Sequence, residues 1–151
     1  RSVIDELKTS GLVDAILHRV ENRLPLIGIC LGFQLFFDHL EESDSSGLGC
    51  ITGAVRALPN SAFNIGWQEL LLRDNTLRPL FEGLHENPSF YFNHQFHAVI
   101  NDPDVHAIFT NSGIPAIVNK GPIFGFQFHP EKSQHQGLQL LSNVMDYSND
   151  F

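Results

Sequence analysis

The chain has 151 residues, enough for one domain with a sizeable core, since 42% of it is hydrophobic. Charged residues make up 17% and no long run of like charge occurs, which argues against wholesale disorder. The net charge of −8 disfavours nonspecific nucleic-acid binding, which needs a basic surface. No apolar run approaches membrane-span length, no signal peptide is visible, and two cysteines, Cys30 and Cys50, do not make a disulfide framework. A reducing, cytoplasmic setting fits that pattern.

Along the chain, Val3, Ile4, Leu7, Val13, Ile16, Leu17 and Val20 recur at helical spacing, interrupted by Gly11, and predict one helix or two short ones over 1–22. The apolar run Leu24 to Ile29 reads as a strand covered on both faces in a parallel sheet. Leu31 to Leu40 reads as a helix, and 41–49 as a polar, Gly-rich loop. Short β-type runs follow at 51–58, 67–72, 89–93, 97–100, 105–109, 114–119 and 123–128, separated by turn signals such as Asn111-Ser112-Gly113. A last helix is expected from near Ser133. Ser133 and Gln136 match a capping box, and Leu138, Leu141, Val144 and Met145 form the apolar face. The expectation is a single α/β domain over 1–151.

Two segments carry chemistry. Gly28-Ile29-Cys30-Leu31-Gly32 has the form G-x-C-x-G between an apolar strand and a helix, the context of a nucleophile elbow with Cys as nucleophile. Small neighbours let strand and helix approach closely, the helix N-terminus favours the thiolate, and the Leu31 N–H can stabilise an oxyanion. The pentapeptide alone is equally compatible with a buried structural Cys, and its strand-to-helix setting tips the balance. In the second segment, Phe126 to Glu131, His129 ends an apolar strand. Residues two apart share a face, so Glu131 can orient the imidazole. A nucleophile, a base and an orienting carboxylate are the parts of a catalytic triad.

Gly28 to Gln34 and Gly125 to Lys132 resemble the two signature segments of class I glutamine amidotransferases. Gly66-Trp67 and Phe90-Tyr91-Phe92-Asn93-His94 bring the resemblance nearest to the glutaminase subunits of imidazole glycerol phosphate synthases, over about Leu7 to Val144. The resemblance implies a flavodoxin-like fold: a mixed, mainly parallel central sheet flanked by helices. It implies that Cys30 attacks the glutamine carboxamide, that His129 relays the proton to ammonia, and that a glutamyl thioester is hydrolysed. Gln34, Glu42, Gln95 and Phe96 match positions lining the glutamine pocket. Trp67, Tyr91 and Lys132 match positions near the interface with a synthase partner, a (β/α)8 barrel fed with ammonia through a channel. No cofactor is implied, and the remaining histidines show no metal spacing.

The sequence departs from that pattern at three places. Asn64 stands where the family usually has His, Gln68 where it has Asn, and Gln95 where it has a small residue. These leave other acceptors open, of the carbamoyl phosphate or sugar-amidating kind. The family's first strands, and a Pro-Gly-rich loop that supplies an oxyanion N–H, precede the point where this sequence begins. The expectation is that residues 1–151 alone are a poor glutaminase with an exposed sheet edge. A γ-glutamyl hydrolase and a catalytically silent interaction module are the competing readings. The Gly-Trp and Tyr-Phe segments oppose the first, and the intact Cys30, His129 and Glu131 oppose the second.

Overall fold

The computed structural model describes residues 3–149 and 151. The chain opens with two short helices, α1 (Val3–Thr9) and α2 (Leu12–Glu21). They part at Gly11, whose φ of 75° lies in the left-handed region that glycine adopts without penalty. Next come β1 (Leu26–Ile29), the single-turn α3 (Leu31–Gln34), β2 (Phe37–Leu40) and β3 (Ser45–Ser46). Strands then dominate: β4 (Ile51–Ala57), β5 (Asn64–Leu71), β6 (Ser89–His94), β7 (Phe96–Ile100), β8 (His106–Thr110), β9 (Pro115–Lys120) and β10 (Ile123–Phe126). A long helix, α4 (Gln134–Ser148), closes the fold.

The strands form two sheets, ordered β1-β10-β9-β8-β5-β6 and β3-β2-β4-β7. The sheets are mixed and flanked by helices, as expected, but the balance between directions is not. Only β1–β10 and β2–β4 run parallel, while the other registered pairs are antiparallel. Short connections account for the antiparallel β2–β3, β8–β9 and β9–β10 pairs, because a few residues can close a hairpin whereas a parallel pair needs a long crossover. The β8–β9 turn uses Gly113 and the β9–β10 turn uses Gly121, both at positive φ.

Three local expectations are corrected. Leu31–Leu40 is not one helix: α3 stops at Gln34, and β2 pairs in parallel with β4. Leu35, Phe36 and Phe37 are all buried, and a run apolar on every side carries no period to separate helix from strand. The 41–49 segment is not wholly loop, since it holds a 3-10 turn (Glu41–Ser43) and β3. β1 is half-buried rather than covered on both faces, because it stands at the end of its sheet.

Two apolar cores result. One packs the six-stranded sheet against α4 and a 3-10 turn (Arg78–Phe81), with Phe90, Phe92, Phe126 and Phe128 at its centre. Phe90 and Phe128 stack with ring centroids 4.4 Å apart. The other gathers Ile4, Phe33, Phe37, Ile51 and Val55. Between the sheets, Lys120 of β9 donates to the Asp102 carboxylate at 2.7 Å and to the Cys50 carbonyl at 3.2 Å. Burial pushes the Asp102 carboxyl up, but hydrogen bonds from Lys120, Thr52 and Asp104 outweigh it and hold it below the usual value. On α4, Leu140 and Val144 face the core while Leu138 and Met145 are exposed, which shifts the expected apolar face.

Candidate active site

The parallel pairing of β1 with β10 builds the site. Ile29 is in register with Phe126, and the Cys30 N–H donates to the Phe126 carbonyl at 2.7 Å. Cys30 and His129 therefore emerge at the carboxyl ends of adjacent parallel strands, where open α/β sheets hold their ligands. Cys30 takes φ 50° and ψ −106°, a conformation that costs a non-glycine residue about 1–3 kcal/mol. Gly28 makes this elbow possible: a Cβ there would lie 2.6 Å from the Phe36 ring and 2.7 Å from the Gly32 carbonyl oxygen. Gly32 is under no such constraint, since a Cβ there meets nothing within 4 Å. The close approach that both glycines were expected to permit rests on Gly28.

The thiol is not poised as an anion. Burial raises its pKa, the Leu31 N–H opposes that, Glu131 adds to the rise and Lys132 counters it. The helix contribution expected from the sequence is correspondingly weak, because α3 spans only four residues. The thiol donates instead to the Asn93 carbonyl on β6, at 3.9 Å. His129 Nδ1 donates to Glu131 Oε1 at 2.7 Å, which fixes the imidazole and leaves Nε2 to act as a base.

The turn that carries His129 is held by Tyr91 and Ser133. The His129 N–H donates to the Tyr91 carbonyl at 2.9 Å. Ser133 Oγ donates to the His129 carbonyl at 2.7 Å and accepts from the Tyr91 N–H at 2.9 Å. Ser133 thus ties the His129 turn to β6 and caps no helix, so the expected capping box does not form. At Gly137 a Cβ would sit 1.8 Å from the Pro130 carbonyl oxygen, so α4 rests directly on the His-Pro-Glu turn.

Of the four residues expected around glutamine, two line one cavity. Gln34 and Glu42 share a space of about 320 Å³ with Leu31, Leu40 and Val55, closed on one side by Val3 and Ile4. Glu42 is exposed and Gln34 is buried. Phe96 does not line that space, but its carbonyl accepts from Gln34 Nε2 at 2.9 Å. Gln95 turns away, donating from its side-chain amide to the Ser61 carbonyl at 3.0 Å.

Trp67 and Tyr91 are cross-strand neighbours on β5 and β6, with rings edge to face at 6.1 Å. The sequence reading missed two members of their surface. Phe63 and Ile65 alternate with Trp67 along one face and are 67%, 60% and 48% exposed, an apolar row that period-2 spacing could have revealed. Lys132 is exposed close enough to Cys30 to influence its thiol. Cys30 and Cys50 are both free. Among the described residues no His, Cys, Asp or Glu group could hold a metal, and no helix is long and apolar enough to cross a membrane.

The chain combines an α/β fold with a strained Cys30 at one strand end and the His129–Glu131 pair after the adjacent parallel strand. The family description "Glutamine amidotransferase class-I" matches residues 5–146. The chain is 42% identical over 147 residues to imidazole glycerol phosphate synthase subunit HisH of Pyrococcus furiosus, covering 94% of this chain and 74% of that protein. It is 39% identical over 153 residues to the HisH subunit of Leptospira interrogans, with 94% and 74% covered. Among solved structures, PurLQS from Thermotoga maritima superposes with a TM-score of 0.70 at 20% identity, over 90% of this chain and 68% of that one. A glutamine amidotransferase from the same organism gives 0.61 at 17% identity, over 94% and 56%. The chain belongs to the class I glutamine amidotransferases, enzymes whose fold the two structures share.

Proposed function

We propose that this chain is the glutaminase subunit of an imidazole glycerol phosphate synthase in histidine biosynthesis, working in the cytoplasm, with Cys30, His129 and Glu131 as its catalytic triad. The observation that carries the site assignment is the placement of Cys30 and the His129–Glu131 pair at the ends of adjacent parallel strands. The assignment to this synthase rests on the HisH relatives.

In this reading glutamine lies in the cavity of Gln34 and Glu42, whose carboxylate suits the α-ammonium. The resting thiol must first lose its proton, because burial keeps it neutral. His129 Nε2 takes that proton while Glu131 stabilises the imidazolium. The Cys30 sulfur then attacks the carboxamide carbon, and the Leu31 N–H supports the oxyanion. His129 returns the proton to the departing nitrogen, which leaves as ammonia. Water, deprotonated by His129, cleaves the glutamyl thioester and regenerates the thiol. The row Phe63, Ile65 and Trp67, with Tyr91 and Lys132, offers the synthase barrel its docking face, since an apolar patch with aromatic anchors is the usual centre of an interface.

A glutamine-mimicking electrophile tests the site directly. We expect mass spectrometry of the labelled full-length protein to place the adduct on Cys30, and excess glutamine to protect it. Labelling at Cys50 instead, or labelling indifferent to glutamine, would sink the assignment.

A further inference from the structure

A polar run with no assigned role crosses the protein beneath the docking row. Gln68 Nε2 donates to Asn64 Oδ1. Asn64 Nδ2 donates to His94 Nε2 at 2.8 Å. His94 Nδ1 donates to the Phe96 carbonyl at 2.7 Å. That same oxygen accepts from Gln34 Nε2, which also donates to Gln127 Oε1 at 3.2 Å. His94, Gln34 and Gln127 are all buried. Each link fixes the next: neutral His94 carries its proton on Nδ1, and turning over the Asn64 amide would set its Oδ1 against the unprotonated His94 Nε2. Both Gln34 Nε2 hydrogens are thereby committed, which leaves Oε1 as the end of that side chain available to the cavity.

The geometry also joins this run to the surface. Asn64 and His94 are cross-strand partners on the inner face of β5 and β6. Ile65 and Trp67, one residue out of phase, point outward in the docking row. We infer that Asn64 and His94 are positioning residues for glutamine binding: they hold Gln34 through the Phe96 carbonyl and tie the glutamine cavity to the strand that carries the docking row. The inference rests on the glutaminase reading above.

The test uses the full-length protein assembled with its barrel partner and measures kcat, KM for glutamine and partner affinity. Asn64→Leu keeps the branched shape and breaks both links. The expected result is a KM raised about tenfold, with kcat and partner affinity changed less than about threefold, the signature of lost substrate positioning. Asn64→His, whose ring can donate to His94 and accept from Gln68, should recover KM to within about threefold of wild type. Gln68→Leu, at a half-exposed position, serves if Asn64→Leu does not fold, with an expected KM rise of about threefold. Unchanged KM in Asn64→Leu and Gln68→Leu beside an active wild type overturns the positioning role. A wild type that releases no glutamate even with its partner removes the glutaminase reading itself, and the inference with it.

Discussion

In the proposed triad two residues, Cys30 and His129, carry the chemistry, and the surrounding fold places them. The strained φ of Cys30 survives because Gly28 lets the Phe36 ring and the Gly32 carbonyl press against the elbow from behind. The strand-end placement of Cys30 and of the His129–Glu131 pair was legible, because spacing in sequence maps onto geometry there. The Asn64–His94–Phe96–Gln34 run was not legible, because its links cross between strands and depend on register that no local pattern displays. Nor was the pKa of Cys30: the motif suggested a thiolate, while burial sets the opposite direction. Since the thiol starts neutral, the oriented base matters. Glu131→Ala should lower kcat by about a hundredfold or more with little change in KM, read from glutamate release by the full-length protein with its partner. Equal kcat in variant and wild type would remove Glu131 from the triad.

At the scale of elements, the strands from β4 to β10 were largely visible, since alternation and turn residues mark them locally. The α3–β2 segment was hidden because Phe33, Leu35, Phe36 and Phe37 are buried whichever way the backbone turns, so pairing with β4 decided it. Ser133 was misread for a related reason: a serine before a helix signals a cap, but here its hydroxyl is claimed by His129 and Tyr91. The hairpin of β5 and β6 carries a pH signature through His94. Burial holds the His94 pKa below its ordinary value of 6.5, with His97 and His129 adding to the effect, and His97 is lowered by burial as well. The unfolded chain therefore binds more protons than the folded one below about pH 6.5, so stability is full above that pH and falls as pH drops through the window beneath it. Urea midpoints should decline from about pH 7.5 to about pH 5.5, and His94→Gln should flatten part of that decline. An identical slope in the variant would mean that His94 is not buried as a neutral ring.

Over the whole molecule, β6 meets two different demands. Tyr91 faces outward beside Trp67, while its backbone holds His129 directly and through Ser133. The Asn93 carbonyl, on the same strand, holds the resting Cys30 thiol. In the proposed assembly a docked barrel presses on the strand that restrains the Cys30 thiol and the His129 turn, so glutamine hydrolysis is predicted to depend on the partner. The most direct measurement is glutamate release by the full-length protein, alone and with the cyclase barrel and its nucleotide ligand. A low rate alone, rising about a hundredfold or more with barrel and ligand and vanishing in Cys30→Ala, is the predicted result. A rate that the barrel leaves unchanged, in a protein whose Cys30 still reacts with a glutamine analogue, would contradict the assignment to this synthase and direct the ammonia to a different acceptor.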